Sequence, residues 1–295
     1  MSWRSSSNLE WLRSLPAVAE GHPLARHTSF NIGGPADFFV ETADPSALRR
    51  DARERAIPVR VFGAGTNLLI SDGGVEGLVL RDVDRRFRRE GDRVFGGAGL
   101  KMMRLARLAA DLDLVGFEFA IGIPGTVGGA VYQDAGCWGT EVREVLVSVE
   151  GDGVTWNPEE LDLGYRTSSF REGGLKNELI TGAWFQLRPG DGEAARKQMA
   201  SWTAERLRTQ PIKSKNCGSV FKNPPDDSAG RLVEAAGLKG AREGGAIIST
   251  KHSNFIENTG NATAADVRNL IERAQAAVAE RFAIALEPEV EMIGR

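Results

Sequence analysis

Residues 216–224 read Asn-Cys-Gly-Ser-Val-Phe-Lys-Asn-Pro, and the serine at their centre, Ser219, has no base beside it in the chain. Only three histidines exist, His22, His27 and His252, and none lies in this run. Residue types alone leave Ser219 three roles: a nucleophile if something removes its proton, a loop hydroxyl, or an acid toward a sufficiently basic atom. Cys217 is the other candidate nucleophile, and the bland reading for it is a loop residue. Lys213, Lys215 and Lys222 flank the serine in a chain with 8 lysines against 29 arginines. That cluster is either a solvated loop or a site for an anion such as a diphosphate. Upstream, Gly-Tyr-Arg-Thr-Ser-Ser-Phe at 164–170 supplies Tyr165, one of two tyrosines, and Arg166, whose planar fork suits a carboxylate. Near the C-terminus, 286–294 supplies Glu287, Glu289 and Glu291. If 289–293 is a strand, Glu289 and Glu291 share a face opposite Val290 and Met292.

Two glycine-rich stretches accompany these groups. Residues 61–74 contain Gly63-Ala64-Gly65 followed by Thr66 and Asn67. This is not a dinucleotide fingerprint, because the third small residue is replaced by Leu68 and a strand rather than a helix follows. It reads as a tight turn with bare amides, serving either as a strand connector or as an anion nest. In 120–139, six of twenty residues are glycine and Pro124 sets one bend, so the backbone there comes close to a neighbour. A flat ring with a diphosphate tail would suit it; so would packing on its own sheet.

The elements that must hold these groups follow from periodicity and turn chemistry. Helices are expected at 8–15, 45–55, 101–114, 192–208 and 229–240, the last ended by Gly237. Another begins at Thr263, with Asp266 three residues on as a capping box. In 101–114, Met102, Leu105, Leu108, Ala109 and Leu112 form the core face. Strands are expected at 36–41, 59–63, 68–72, 77–82 and 179–187, with short ones at 246–250 and 254–258. Hairpins are expected at Gly91-Asp92 and Asp152-Gly153. The class is α+β.

Composition narrows the function. The chain has 295 residues, 41% apolar and 26% charged, with net charge −3. That balance argues against a polyanion-binding surface and so against nucleic acid. No run of about 18 apolar residues predicts a membrane span, and the N-terminus has no continuous apolar stretch of signal-peptide length. A cytoplasmic location is the default. Two cysteines, Cys137 and Cys217, make no disulfide framework, and no cluster has metal-ligand spacing.

Taken in order, HTSFNIGGPADFFV (27–40), VFGAGTNLLISDGG (61–74), GIPGTVGGAVYQDAG (122–136), GYRTSSF (164–170), GSVFKNP (218–224), AGRLVEAAGLKG (229–240) and LEPEVEMIG (286–294) resemble the UDP-N-acetylenolpyruvoylglucosamine reductase family. These are the UDP-N-acetylmuramate dehydrogenases, flavoenzymes of peptidoglycan synthesis and hence of cell-wall biogenesis, cell shape and division. The chain looks like the shorter type, without the extra tyrosine-bearing substrate loop; no tyrosine follows Tyr165. The resemblance implies a two-part FAD-binding domain of the vanillyl-alcohol-oxidase (PCMH) type, at 1–83 and 84–191, and a C-terminal α+β substrate domain at 192–295. It implies non-covalent FAD held by Gly63, Ala64, Gly65, Thr66, Asn67, Leu68 and Leu69 and by Ile123, Pro124, Gly125, Thr126, Gly128 and Gly129. NADPH is the implied co-substrate, in ping-pong order, and the chain a monomer or weak homo-oligomer. Two positions depart from the pattern: Gln133-Asp134 stands where Met-Asn is usual, and Cys137-Trp138 replaces a small-aromatic pair.

The implied reaction adds hydride to the terminal carbon of an enolpyruvyl ether on UDP-N-acetylglucosamine. Carbanion character then develops next to the carboxylate. Arg166 is implied to stabilise that charge, Ser219 to give the carbon its proton, and Glu289 to assist the enol-like intermediate. A serine is a poor acid toward water, yet sufficient toward so strong a base. Tyr165, Lys213, Lys222, Asn223 and His252 are the implied substrate contacts. Two other functions compete: a flavin oxidase of a hydroxy acid or sugar on the same fold, and a non-catalytic nucleotide-sugar binding protein.

Overall fold

A computed structural model describes residues 3–295. The chain clusters into two units that do not follow its linear order. One comprises residues 3–11, 40–64 and 80–205; the other comprises 12–39, 65–79 and 206–295.

The first unit is built on a five-stranded sheet, ordered Thr155–Trp156, Leu146–Glu150, Gly182–Gln186, Arg93–Gly97, Phe87–Glu90. Its ladders are antiparallel, with Glu90 opposite Arg93 and Glu150 opposite Thr155. Both expected hairpins are therefore present. Each turns on a glycine in the left-handed region, Gly91 (φ 58°) and Gly153 (φ 75°), as a tight reversal requires. The helix Met102–Asp111 buries Met102, Leu105 and Ala109 as expected, together with Ala106 and Ala110; Leu108 and Leu112 are only half-buried. This face joins Val94, Val149 and Phe185 of the sheet in one core.

The second unit holds a three-stranded sheet, Arg242–Glu243, Ala246–Ile248, Ile256–Asn258, with the helices Ala229–Ala235 and Ala264–Phe282. Its core gathers Leu232, Val233, Ile248, Val267, Leu270 and Ile271. The capping box forms as read: Thr263 Oγ1 accepts from Asp266 N at 3.1 Å, and Asp266 Oδ2 accepts from Thr263 N at 2.9 Å. Leu68–Ile70 pairs in parallel with Glu291–Ile293, placing Leu68 opposite Glu291. That C-terminal strand is shorter than the sequence suggests. Glu289 lies just before it, Val290 is buried, and Met292 is 45% exposed.

A further sheet is ordered Ala19–Pro23, Pro35–Thr42, Val75–Asp82, Val59–Phe62, and the division of the chain falls inside Pro35–Thr42 and Val75–Asp82. Among the described residues no helix is long and apolar enough to cross a membrane.

Candidate active site

In the second unit the loop around Ser219 is fixed by polar side chains that close local rings. Asn216 Oδ1 accepts from Gly218 N at 2.9 Å, and its amide donates to the carbonyls of Pro211 and Ser214. Gly218 follows with φ 84°, a conformation that a side chain would resist. The next residues are clamped by Asn254, a buried asparagine. Its Oδ1 accepts from Phe221 N and its Nδ2 donates to Phe221 O, both at 2.9 Å, while its carbonyl accepts from Val220 N at 2.8 Å. Such a doubly used amide positions a backbone as firmly as a strand ladder does.

The same loop is tied to the C-terminal segment. Val220 O accepts from Glu289 N at 2.8 Å, and Glu287 O accepts from Lys222 N at 2.9 Å. Asn67 completes the set: its Nδ2 donates to Glu289 O at 3.0 Å and its carbonyl accepts from Glu291 N at 3.0 Å. The Ser219 loop, Glu289 and the 65–69 turn are thus brought together by main-chain bonds and the Asn67 amide. Ser219 is half-buried, and among the described residues no imidazole, carboxylate or amine hydrogen-bonds its hydroxyl. Nothing there is arranged to remove its proton.

Cys217 is buried, and burial first, then the negative charge of Glu289, push its thiol well above the ordinary range. It is a packed thiol, not a thiolate nucleophile. Lys222 is nearly buried and its ammonium lies 2.5 Å from Glu287 Oε1, whereas Lys213 and Lys215 are exposed. Asn223 Oδ1 accepts from Ala229 N at 3.1 Å, at the start of a helix. His252 is half-buried, with Nδ1 accepting from Asn254 N at 3.2 Å. Burial lowers its pKa, so the neutral ring is favoured.

In the first unit the glycine-rich stretch 120–139 runs from a 3₁₀ turn, Glu118–Gly122, into the short helix Val127–Tyr132. Val127 N and Gly128 N are bonded to the carbonyls of Leu100 and Ala98, so two amides of this stretch are taken up by the turn that follows the strand Arg93–Gly97. Gly63 approaches the same place: a Cβ there would stand 2.3 Å from Thr126 Oγ1. The two glycine-rich runs therefore meet where no side chain fits. Departing from the family pattern, Cys137 packs on Gly122, and Trp138 stacks on Trp202 at 5.2 Å between centroids.

Arg166 also belongs to this unit and adopts φ 58°. Its guanidinium donates to Asp134 O at 3.3 Å and Gly136 O at 3.1 Å, and it lies 4.9 Å from the centroid of Tyr165, an exposed ring. Asp134 is fully buried; burial raises its pKa, opposed by the bonds and charge of Arg143. A cavity of about 530 Å³ opens elsewhere in the unit. Its lining includes Asp44, Asp82, Asp84, Glu150 and Asp152 against a single Arg86, a charge that repels a diphosphate. The ring of anions makes it a poor cofactor site.

Sequence reading passed over Asn254, and over Glu141 and Arg143 beside Asp134. An asparagine directly before the apolar pair Phe255-Ile256 was the available signal for the first. The others are surface-like charged residues that pair with each other, and their further partners, Arg166 and Asp134, are not neighbours in sequence. Among the described residues no group of three or more His, Cys, Asp or Glu side chains is placed so that it could hold a metal ion.

A family model described as the C-terminal domain of UDP-N-acetylenolpyruvoylglucosamine reductase matches residues 210–293, and one described as an FAD binding domain matches 38–151. A UDP-N-acetylenolpyruvoylglucosamine reductase of Lachnoclostridium phytofermentans is 41% identical over 295 residues, covering 95% of this chain and 94% of its own. That of Methylococcus capsulatus is 43% identical, covering 93% and 92%. The crystal structure of the reductase from Thermus caldophilus superposes with a TM-score of 0.79 at 37% identity, covering 94% of this chain and 98% of that one.

Proposed function

The chain belongs to the UDP-N-acetylenolpyruvoylglucosamine reductase family, and from that membership we propose how its residues divide the work. The protein is an oxidoreductase, a UDP-N-acetylmuramate dehydrogenase. It uses FAD and NADPH to reduce the enolpyruvyl group of UDP-N-acetylglucosamine enolpyruvate in peptidoglycan synthesis. Its fold is α+β, of the flavin-binding type, with a separate C-terminal family domain.

We propose that residues 1–83 and 84–191 hold the flavin and that 192–295 carry substrate groups, a division supported by the spans 38–151 and 210–293. Residues 63–69 and Ile123–Thr126 with Gly128 and Gly129 would hold FAD non-covalently. The close approach of Gly63 to the Thr126 side chain fits such a group, because it holds the two runs named for FAD against each other with no bulk between them. When bound, FAD supplies the hydride relay between NADPH and the sugar nucleotide.

Arg166 stabilises the charge that develops on the substrate carboxylate. Its guanidinium already rests on two carbonyls, so little reorganisation is needed as the charge grows. Ser219 delivers the proton to carbon. Among the described residues no base hydrogen-bonds its hydroxyl, which suits an acid that must keep its proton until a carbanion-like atom takes it. Glu289, held against Val220 by its backbone N–H, assists the enol-like intermediate through its carboxyl group. Lys213 and Lys222 attract the diphosphate, and Tyr165, Asn223 and His252 contact the sugar nucleotide. The observation that carries this reading is the hydrogen-bond set joining Val220, Glu289 and Asn67. We further propose a cytoplasmic monomer or weak homo-oligomer without affinity for nucleic acid, in line with net charge −3.

The test is an anaerobic absorbance titration of the holoenzyme. NADPH is added, the excess removed, and the enolpyruvyl sugar nucleotide added. Bleaching followed by recovery only with the sugar nucleotide is expected. Ser219→Ala should still bleach with NADPH but recover slowly; rapid recovery removes Ser219 from its role. Recovery only on admitting air would instead indicate an oxidase.

A further inference from the structure

The turn at 65–69 has two sides, and different partners hold them. On the far side, Asn67 donates to Glu289 O, and Leu68–Ile70 pairs with Glu291–Ile293. On the near side lie Gly65 and Thr66, and both are met by Ser29. The N–H of Ser29 donates to Gly65 O at 3.1 Å, and its hydroxyl donates to Thr66 O at 3.4 Å. The two segments are pressed together: Gly65 adopts φ 61°, and a Cβ on it would stand 2.2 Å from His27 O. The near side is therefore placed only as well as residues 27–31 are placed.

Those residues are held from outside by Asn258, at the end of the strand Ile256–Asn258 and 6% exposed. Its Nδ2 donates to Phe30 O at 2.9 Å and to Asn31 O at 3.4 Å. Its Oδ1 accepts from Gly260 N at 2.8 Å and from Ala262 N at 3.1 Å. Both amide protons and both lone pairs are thus spent, and the plane of the amide is set from two sides. The Phe30 ring is buried in the core of this unit as well. Apolar burial is non-directional, so it fixes how deep the segment sits and not how its main chain is turned. The amide of Asn258 supplies that direction. The backbone of Asn258 is itself tied to the start of the Ser219 loop, since its N–H donates to Lys215 O at 2.9 Å.

We propose that Asn258 is a positioning residue for the flavin-holding turn. Through residues 29–31 it fixes the Gly65–Thr66 side of that turn and sets it against the start of the Ser219 loop. A turn not held in this way must be ordered when the cofactor binds, and that ordering costs affinity. The inference rests on the reading of residues 65–69 as part of the flavin site.

The test compares holoenzyme variants by two readouts. One is amide hydrogen exchange in the segments 28–32 and 65–67 at saturating FAD. The other is the rate of FAD release on dilution, followed by flavin fluorescence. Asn258→Ser keeps a hydroxyl able to accept from Gly260 N two residues on, but it is too short to reach Phe30 O. Exchange should rise in both segments, and FAD release should quicken about fivefold, the scale of one neutral hydrogen bond. Val278→Ala, a change in the same core at a residue with no side-chain hydrogen bond to give, is the control for lost stability alone. It should lower the urea midpoint yet leave both readouts within about twofold of wild type. Equal effects of the two variants would make Asn258 merely structural and overturn the inference. Unchanged exchange in Asn258→Ser also overturns it, while leaving the flavin reading intact. Raised exchange with unchanged FAD release would instead remove residues 65–69 from the flavin site, and the inference with them. Should Asn258→Ser fail to fold, Asn258→Asp carries the same comparison: it keeps the acceptor for Gly260 and Ala262 and turns an acceptor toward Phe30 O.

Discussion

Replacing Asp82 by asparagine should stabilise this protein, and should do so only above the pH at which this aspartate ionises in the unfolded chain. Asp82 lies at the end of the strand Val75–Asp82, is 5% exposed, and lines the acidic cavity. Its pKa is pushed up to about 6, first by burial and then by the charges of Asp84 and Asp44, against the Asp84 N–H and Arg86, which favour the anion. The unfolded chain has an ordinary aspartate near 3.9. A folded pKa above the unfolded one means that the group's contribution is most favourable at low pH and is lost as pH rises through about 6. At pH 7 both states are ionised, and the shift of about two units corresponds to roughly 3 kcal/mol of penalty, or about 2 once water in the cavity screens the charge. Asparagine carries no such penalty and keeps the Oδ1 that accepts from Asp84 N at 2.8 Å. Asp82→Asn should therefore gain about 2 kcal/mol at pH 7, roughly half of that at pH 5 and almost nothing at pH 4. Urea unfolding at fixed, saturating FAD reads this directly, since the midpoint moves at constant slope. A gain that does not change with pH, or a loss at pH 7, would refute the argument from buried charge.

Three further outcomes follow from the site. Cys217→Ala should keep turnover within about threefold, because the thiol is packed and un-ionised; a loss of about a hundredfold in kcat would restore it as a participant. Gly63→Ala drives a methyl toward Thr126 Oγ1 at 2.3 Å, so the purified protein should hold flavin at least about tenfold more weakly, and an unchanged flavin-to-protein absorbance ratio would remove that contact from the cofactor site. Glu289→Gln should slow the sugar-nucleotide half-reaction more than Glu291→Gln in stopped flow; the reverse order would shift the carboxyl role to Glu291.

Much of this molecule is legible in its sequence, where the deciding interaction is local. The Thr263–Asp266 box spans three residues, and the hairpins at Gly91-Asp92 and Asp152-Gly153 need only a left-handed glycine between paired strands. The order of seven motifs is likewise a property of the chain, and it sufficed to indicate the family, the flavin and the candidate residues Arg166, Ser219 and Glu289. Element ends were less legible: the helix read over 229–240 stops at Ala235, and the strand read over 179–187 covers Gly182–Gln186. Their limits are set by which backbone groups find partners in neighbouring elements.

Tertiary structure alone decided the rest. Residues 12–39 and 65–79 cluster with the C-terminal part of the chain rather than with the strands beside them in sequence. Leu68–Ile70 finds its parallel partner in Glu291–Ile293, and Asn67 spends its amide on Glu289. Asn254 earns its importance only because Phe221 arrives beside it, and Asn258 only because Phe30 does. Local pattern determines what a segment becomes, because a turn or cap is satisfied within a few residues. Which buried polar group meets which partner depends on how distant apolar faces come together, and no local pattern carries that information.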